Sequence, residues 1–120
     1  MEIFKSENKE KQRRWNPETL KLLRKNGADL EKQHKIINVF NLFDQKTIEA
    51  LSILLENVNF KVIDVLQMEN SSGSSYWSLE AEVELVPELE RMNHMTDTCV
   101  DMAAKVTGAD YDGWYTQPEF

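Results

Sequence analysis

Apolar residues recur along this chain with two different spacings, and the switches between them mark its elements. Asn16-Pro17-Glu18 carries helix-start signals: Asn16 is suited to cap, Pro17 to the first helical position, and Glu18 to the positive helix end. Leu20, Leu22 and Leu23 follow, and Gly27 is a natural stop, so a first helix is expected between Asn16 and Gly27. HKIINVFNLF, from His34 to Phe43, is rich in β-branched and aromatic residues and too short for an amphipathic helix, which predicts a strand. Asp44 is expected to cap a second helix, on which Ile48, Leu51, Leu54, Leu55 and Val58 share one face. FKVIDVL, from Phe60 to Leu66, predicts a second strand, and NSSGSS, from Asn70 to Ser75, a polar connection. From Tyr76 to Leu85 the alternation is strict. Trp77, Leu79, Ala81, Val83 and Leu85 point one way, and Ser78, Glu80, Glu82 and Glu84 the other. Pro87 opens a third helix with a stripe of Leu89, Met92, Met95, Cys99, Met102, Ala103 and Val106, stopping at Gly108. Tyr111 to Thr116 is expected as a short last strand.

After the first helix the order reads β-α-β-β-α-β, the split βαβ arrangement. The expected fold is an α+β, ferredoxin-like sandwich: a four-stranded antiparallel sheet, two helices on one face, and an extra N-terminal helix. Residues 16–120 are expected as a single domain, preceded by a basic segment over residues 1–15. At 120 residues the chain has the size of one core. It lacks any apolar run near the about 18 residues of a membrane span, and its charged first fifteen residues do not resemble a signal peptide. One cysteine forms no internal disulfide, and a cytoplasmic protein is expected.

Charge changes the picture further. Residues 1–25 hold eight Lys or Arg against four Glu, whereas residues 26–120 hold six basic and seventeen acidic residues. A body this acidic repels phosphate backbones and attracts basic protein surfaces. The basic KEKQRR start reads either as a nucleic-acid arm or as a solvated or frayed helical lead-in. Exposed aromatics on central strands would mark an RNA-binding sheet of this topology. Instead, Glu80, Glu82 and Glu84 stand about 7 Å apart in a row on one strand face. Direct nucleic-acid binding is therefore not expected there. The row is a candidate contact for a basic protein partner, or a solvated sheet face. Glu88, Glu90, Asp97 and Asp101 are expected to face solvent on the third helix.

Catalytic chemistry is sparse. Cys99 lies on the apolar stripe, which points to packing. His94 lies about 200° around the helix from Met92 and faces solvent, so it makes no pair with Cys99. His34 is expected at the surface. Two histidines so far apart predict no metal site, Asp110-Tyr-Asp112-Gly113 lacks the later ligands of a calcium loop, and no phosphate-cradling glycine loop occurs. No catalytic residue, metal or cofactor is expected.

The ending YDGWYTQPEF sets Tyr111 and Trp114 an odd number apart around Asp112-Gly113. Asp-Gly favours a two-residue hairpin, but its arms would be only three residues each. A bulged final strand fits better: one extra residue at Gly113 turns both rings to one side, with Trp114 as anchor. GADLEK (27–32), FDQKTIEAL, VPELERM (86–92) and GADYDGW (108–114), in this order, together resemble the ribonuclease E activity regulator B family over about residues 16–116. The resemblance implies a cytoplasmic bacterial α+β protein that binds the non-catalytic scaffold region of ribonuclease E and lowers its activity without being an enzyme. The alternative classes are a small-ligand-binding domain of the same fold, marked by a deep apolar pocket between helices and sheet, and a self-associating module pairing through an edge strand or sheet face.

Overall fold

The computed structural model describes residues 2–116, with side chains from Lys5 onward; residues 1 and 117–120, the ends of the two segments assigned from sequence, lie outside the described residues. The elements run α1 (Glu2–Lys25), β1 (His34–Leu42), α2 (Thr47–Asn57), β2 (Lys61–Glu69), β3 (Ser75–Leu85), α3 (Leu89–Ala104) and β4 (Ala109–Thr116). The architecture is α+β, with three helices and one antiparallel four-stranded sheet of order β2-β3-β1-β4. The two central strands are thus β1 and β3.

Strand parity explains the layering. On β1, Ile36, Asn38, Phe40 and Leu42 are fully buried, and across from them stand Val83, Ala81, Leu79 and Trp77 of β3. Leu20 of α1, Leu51 and Leu55 of α2, and Met92, Met95, Cys99 and Met102 of α3 complete one core with them. All three helices therefore lie on the same face of the sheet. The opposite face carries Lys35, Ile37 and Val39 of β1 and Glu80, Glu82 and Glu84 of β3; at its β4 margin Gln12, Trp15 and Thr19 of α1 line a hollow with Val39 and Tyr115, and Ile37 is buried among its neighbours.

All three helix starts differ from the sequence expectation; α3 begins at Leu89, two residues after Pro87, with Glu88 still extended. α1 begins at Glu2 and carries Asn16 and Pro17 in its interior. Pro17 has no N–H to offer the Arg13 carbonyl, a local cost that packing against α3 offsets. Asn16 does not cap a helix; its side chain is buried and bonds to other elements. α2 begins at Thr47, and Asp44 acts just ahead of it: its Oδ1 accepts from the Lys46 N–H at 3.0 Å and its carbonyl from the Thr47 hydroxyl at 2.6 Å. α1 does stop where Gly27 was expected to end it. Gly27 has φ 97°, which a side chain would resist, and the Ala28 N–H returns to the Leu23 carbonyl at 3.0 Å.

Candidate interaction face

β3 sets Glu80, Glu82 and Glu84 on the open face because its inward positions hold Trp77, Leu79, Ala81, Val83 and Leu85. Glu84 is exposed, and Glu80 and Glu82 are half-buried by their neighbours on that face. Across the strands, Glu84 stands opposite Lys35 and Glu82 opposite both Ile37 and Lys61, whereas Glu80 stands opposite Val39 and Asp64. The charge row is therefore partly answered by two lysines at one end. It stays doubly acidic where Glu80 meets Asp64. The Tyr115 hydroxyl of β4 donates to Glu80 Oε2 at 3.0 Å, which fixes that carboxylate and lays a half-exposed ring beside it. A shallow hollow of about 220 Å³ lined by Lys35, Ile37, Ile63, Glu82 and Tyr115 adjoins the row. Carboxylates beside aliphatic and aromatic surface suit a long cationic side chain, whose methylene stem needs apolar contact and whose head needs an anion.

The Tyr111-Asp112-Gly113-Trp114 stretch braces the sheet from the helix side. Phe40 pairs with Tyr111 and Val39 with Gly113, so Asp112 is the residue without a partner of its own in a register shift. Gly113 sits at φ 134°, a conformation that favours glycine. The shift turns both rings toward the helices. Tyr111 is buried against Phe40, with ring centroids 5.1 Å apart, and its hydroxyl donates to Asn38 Oδ1 at 2.7 Å. Trp114 Nε1 donates to Asn16 Oδ1 at 2.9 Å, while Asn16 Nδ2 donates to Asn93 Oδ1 at 3.0 Å and Thr96 Oγ1 at 3.1 Å. Asn16 thus joins α1, α3 and β4. It escaped the sequence reading because its cap signal was followed instead of its place in the i, i+4 row Asn8, Gln12, Asn16.

Charges on α3 also have partners inside the chain. Asp97 and Asp101 were expected to face solvent. Instead, Asp97 takes a two-pronged contact from Arg13, with Nε to Oδ1 at 3.2 Å, and Asp101 takes Lys9 at 2.8 Å and Lys5 at 2.9 Å. Partial burial by itself would raise the Asp101 carboxyl, but the two ammoniums outweigh it and hold the group below the usual carboxylate value. The basic lead-in is in this way spent largely on α3. His34, expected at the surface, is buried: it shares the inward parity of β1, and its Nε2 donates to the Asp29 carbonyl at 2.7 Å.

Burial pushes the Cys99 thiol well above its ordinary value, so little nucleophilic thiolate exists near neutral pH. His94 is exposed and lines a second hollow, of about 590 Å³, between the end of α2, β3 and α3. Val58, Phe60, Val83, Leu85 and Met95 form its apolar wall, with Glu88, Glu90, Arg91 and Thr98 around them. No helix among the described residues is long and apolar enough to cross a membrane.

These features define a class: a small α+β protein with a helix-backed sheet, one face of which is open and bears carboxylates. Residues 13–116 match the family described as regulator of ribonuclease activity B, and the chain belongs to that family. It is similar, at 26% identity over 102 residues, to a regulator of ribonuclease activity B from Alteromonas mediterranea; the aligned part spans 85% of this chain and 76% of that protein.

Proposed function

We propose that the protein is a non-enzymatic regulator of RNA decay that binds a basic segment of a ribonuclease, the scaffold region of ribonuclease E, in the bacterial cytoplasm. Family membership supports the ribonuclease as the target. The observation that carries the mode of action is the Glu80 and Asp64 pairing beside Tyr115, an uncompensated acidic point on an open face. Glu80, Glu82 and Glu84 are the proposed contacts. Tyr111, Asp112, Gly113 and Trp114 hold the strand that presents Tyr115. Inhibition then follows from occupying the partner, with no chemical step on this chain. The strand order, with β1 and β3 central, supports a ferredoxin-like assignment for the stretch from β1 to β4.

Binding to ribonuclease E scaffold fragments, compared at low and moderate salt, tests this reading. Exposed charge contacts weaken as salt screens them. Replacing Glu80, Glu82 and Glu84 together by Gln should lower affinity about tenfold at low salt, because each exposed pair contributes about 0.2–1 kcal/mol. Unchanged affinity of the triple variant removes the face assignment.

A second reading rests on the 590 Å³ hollow, whose apolar wall and mixed rim of Glu88, Glu90 and Arg91 suit a small amphipathic ligand with a charged head. Thermal stabilisation by medium-chain amines or carboxylates, weakened by Glu90→Ala or by Arg91→Ala respectively, would favour it over the docking role.

A further inference from the structure

The two edges of the sheet are finished differently. On the β4 side, α1 lies close: Asn8 Nδ2 donates to the Tyr111 carbonyl at 3.1 Å, and Gln12 Oε1 comes within 3.8 Å of where a Cβ on Gly113 would sit. On the β2 side the sheet simply ends, and no described element pairs with the strand's outer edge. β2 is nine residues long; it has a register shift at Ile63, beyond which Asp64 to Glu69 pair with β3 in unbroken register and leave a regular outer edge. It is also unusually apolar for an exposed strand. Ile63 (42%), Val65 (37%), Leu66 (50%) and Met68 (40%) are all exposed, and Phe43 with Tyr76, rings 6.0 Å apart, extend the patch.

We propose that the free edge of β2 is the contact between two copies of this chain, paired antiparallel about a two-fold axis. Its exposed apolar side chains lie on both faces of the sheet. Val65 is level with inward-facing Leu79, whereas Leu66 and Met68 are level with outward-facing Ser78 and Tyr76. A ligand resting on one face covers only half of them; an added strand, flanked by its own sheet and helices, covers both. The strand's ends have opposite charge, Lys61 at the start and Glu69 at the finish. Antiparallel to itself, β2 sets each Lys61 end beside a Glu69 end, twice by symmetry. A strongly cationic strand has no such match, because β2 offers it only Asp64 amid apolar side chains and Glu69 at one end. This pairing is independent of what the acidic face binds. It nevertheless makes one sheet of eight strands, with both Glu80, Glu82 and Glu84 rows on the same side, so a partner with two basic stretches meets both.

Sedimentation equilibrium over a range of protein concentrations tests the pairing. The expected mass is twice the 14.0 kDa of the chain at high concentration. Leu66→Lys, at a half-exposed position, should restore the single-chain mass with an unchanged circular dichroism spectrum. Lys61→Glu and Glu69→Lys should each weaken the dimer about threefold to tenfold, and the double reversal should return it to the parent affinity. A mass of 14.0 kDa at every concentration overturns the proposal. A dimer that ignores Leu66→Lys and both reversals also overturns it, since the contact then lies elsewhere.

Discussion

At the scale of single residues, buried polar groups tie the helices to the sheet. Asn16 uses both amide hydrogens and its carbonyl on three partners from two other elements. Its replacement by Ala strands the Trp114 N–H and the groups on α3, so unfolding in urea should show a loss of about 2–3 kcal/mol. Trp114→Phe removes the bond and keeps most of the ring; it should cost about 1 kcal/mol, and in combination with Asn16→Ala the two losses should fall short of their sum by about that amount. Tyr111→Phe likewise leaves Asn38 Oδ1 without its donor in the centre of the sheet, at an expected cost of about 1–2 kcal/mol. Such contacts are hard to read from a sequence, because they depend on tertiary partners about 80 or more residues away. Asn38 was nevertheless accessible in principle. It breaks an apolar parity row between Ile36 and Phe40, and an inward polar side chain must find a partner. His34 shares that parity, so the same rule would have placed it inside.

Among the elements, the order of helices and strands, the alternation of β3 and the stripe on α3 from Met92 to Val106 were legible because each follows a clean period over many residues; Leu89, expected to head that stripe, is exposed in the first turn of α3. Helix starts were not, since cap propensities are small compared with the packing of a long helix face. Asn16 and Pro17 announce a start, yet α1 continues upstream through them because Asn8 and Gln12 meet β4 while Lys5, Lys9 and Arg13 meet α3. The seam between α1 and α3 therefore carries a testable electrostatic component. The folded Asp101 carboxyl titrates below its ordinary value of 3.8, so the unfolded chain takes up that proton first as pH falls. The stabilisation is complete above the unfolded value and is lost as pH drops through the folded one. Asp101→Asn should destabilise the protein by about 1 kcal/mol or less at neutral pH, given its partial exposure, and the gap to the parent should close in acid below about 3.8. Equilibrium unfolding of both proteins at several pH values measures this; a gap that stays open in strong acid would assign the effect to packing alone.

For the whole molecule, the decisive quantity is where the net charge of -7 is left after the chain has paired its own ions. The sequence totals showed a basic start and an acidic body. They did not show that cations of α1 would be set against Asp97 and Asp101, or that Lys35 and Lys61 would stand across from Glu84 and Glu82. With those placements the helix layer is partly balanced, and the unanswered acid on the open face concentrates at Glu80 and Asp64. If docking occurs on that face, Lys35 opposes it by lying within its field, whereas Lys105, exposed at the end of α3, belongs to the helix layer. Lys35→Ala and Lys105→Ala change the net charge equally. Overall attraction would therefore speed association with a basic partner by the same factor in both, while a local contact would favour Lys35→Ala alone. At ionic strengths where the screening length is about 10 Å, Lys35→Ala is expected to raise the association rate about twofold to fivefold and Lys105→Ala to leave it nearly unchanged, as read by stopped-flow binding to the basic fragment. Equal rates for the two variants would place the contact away from the sheet.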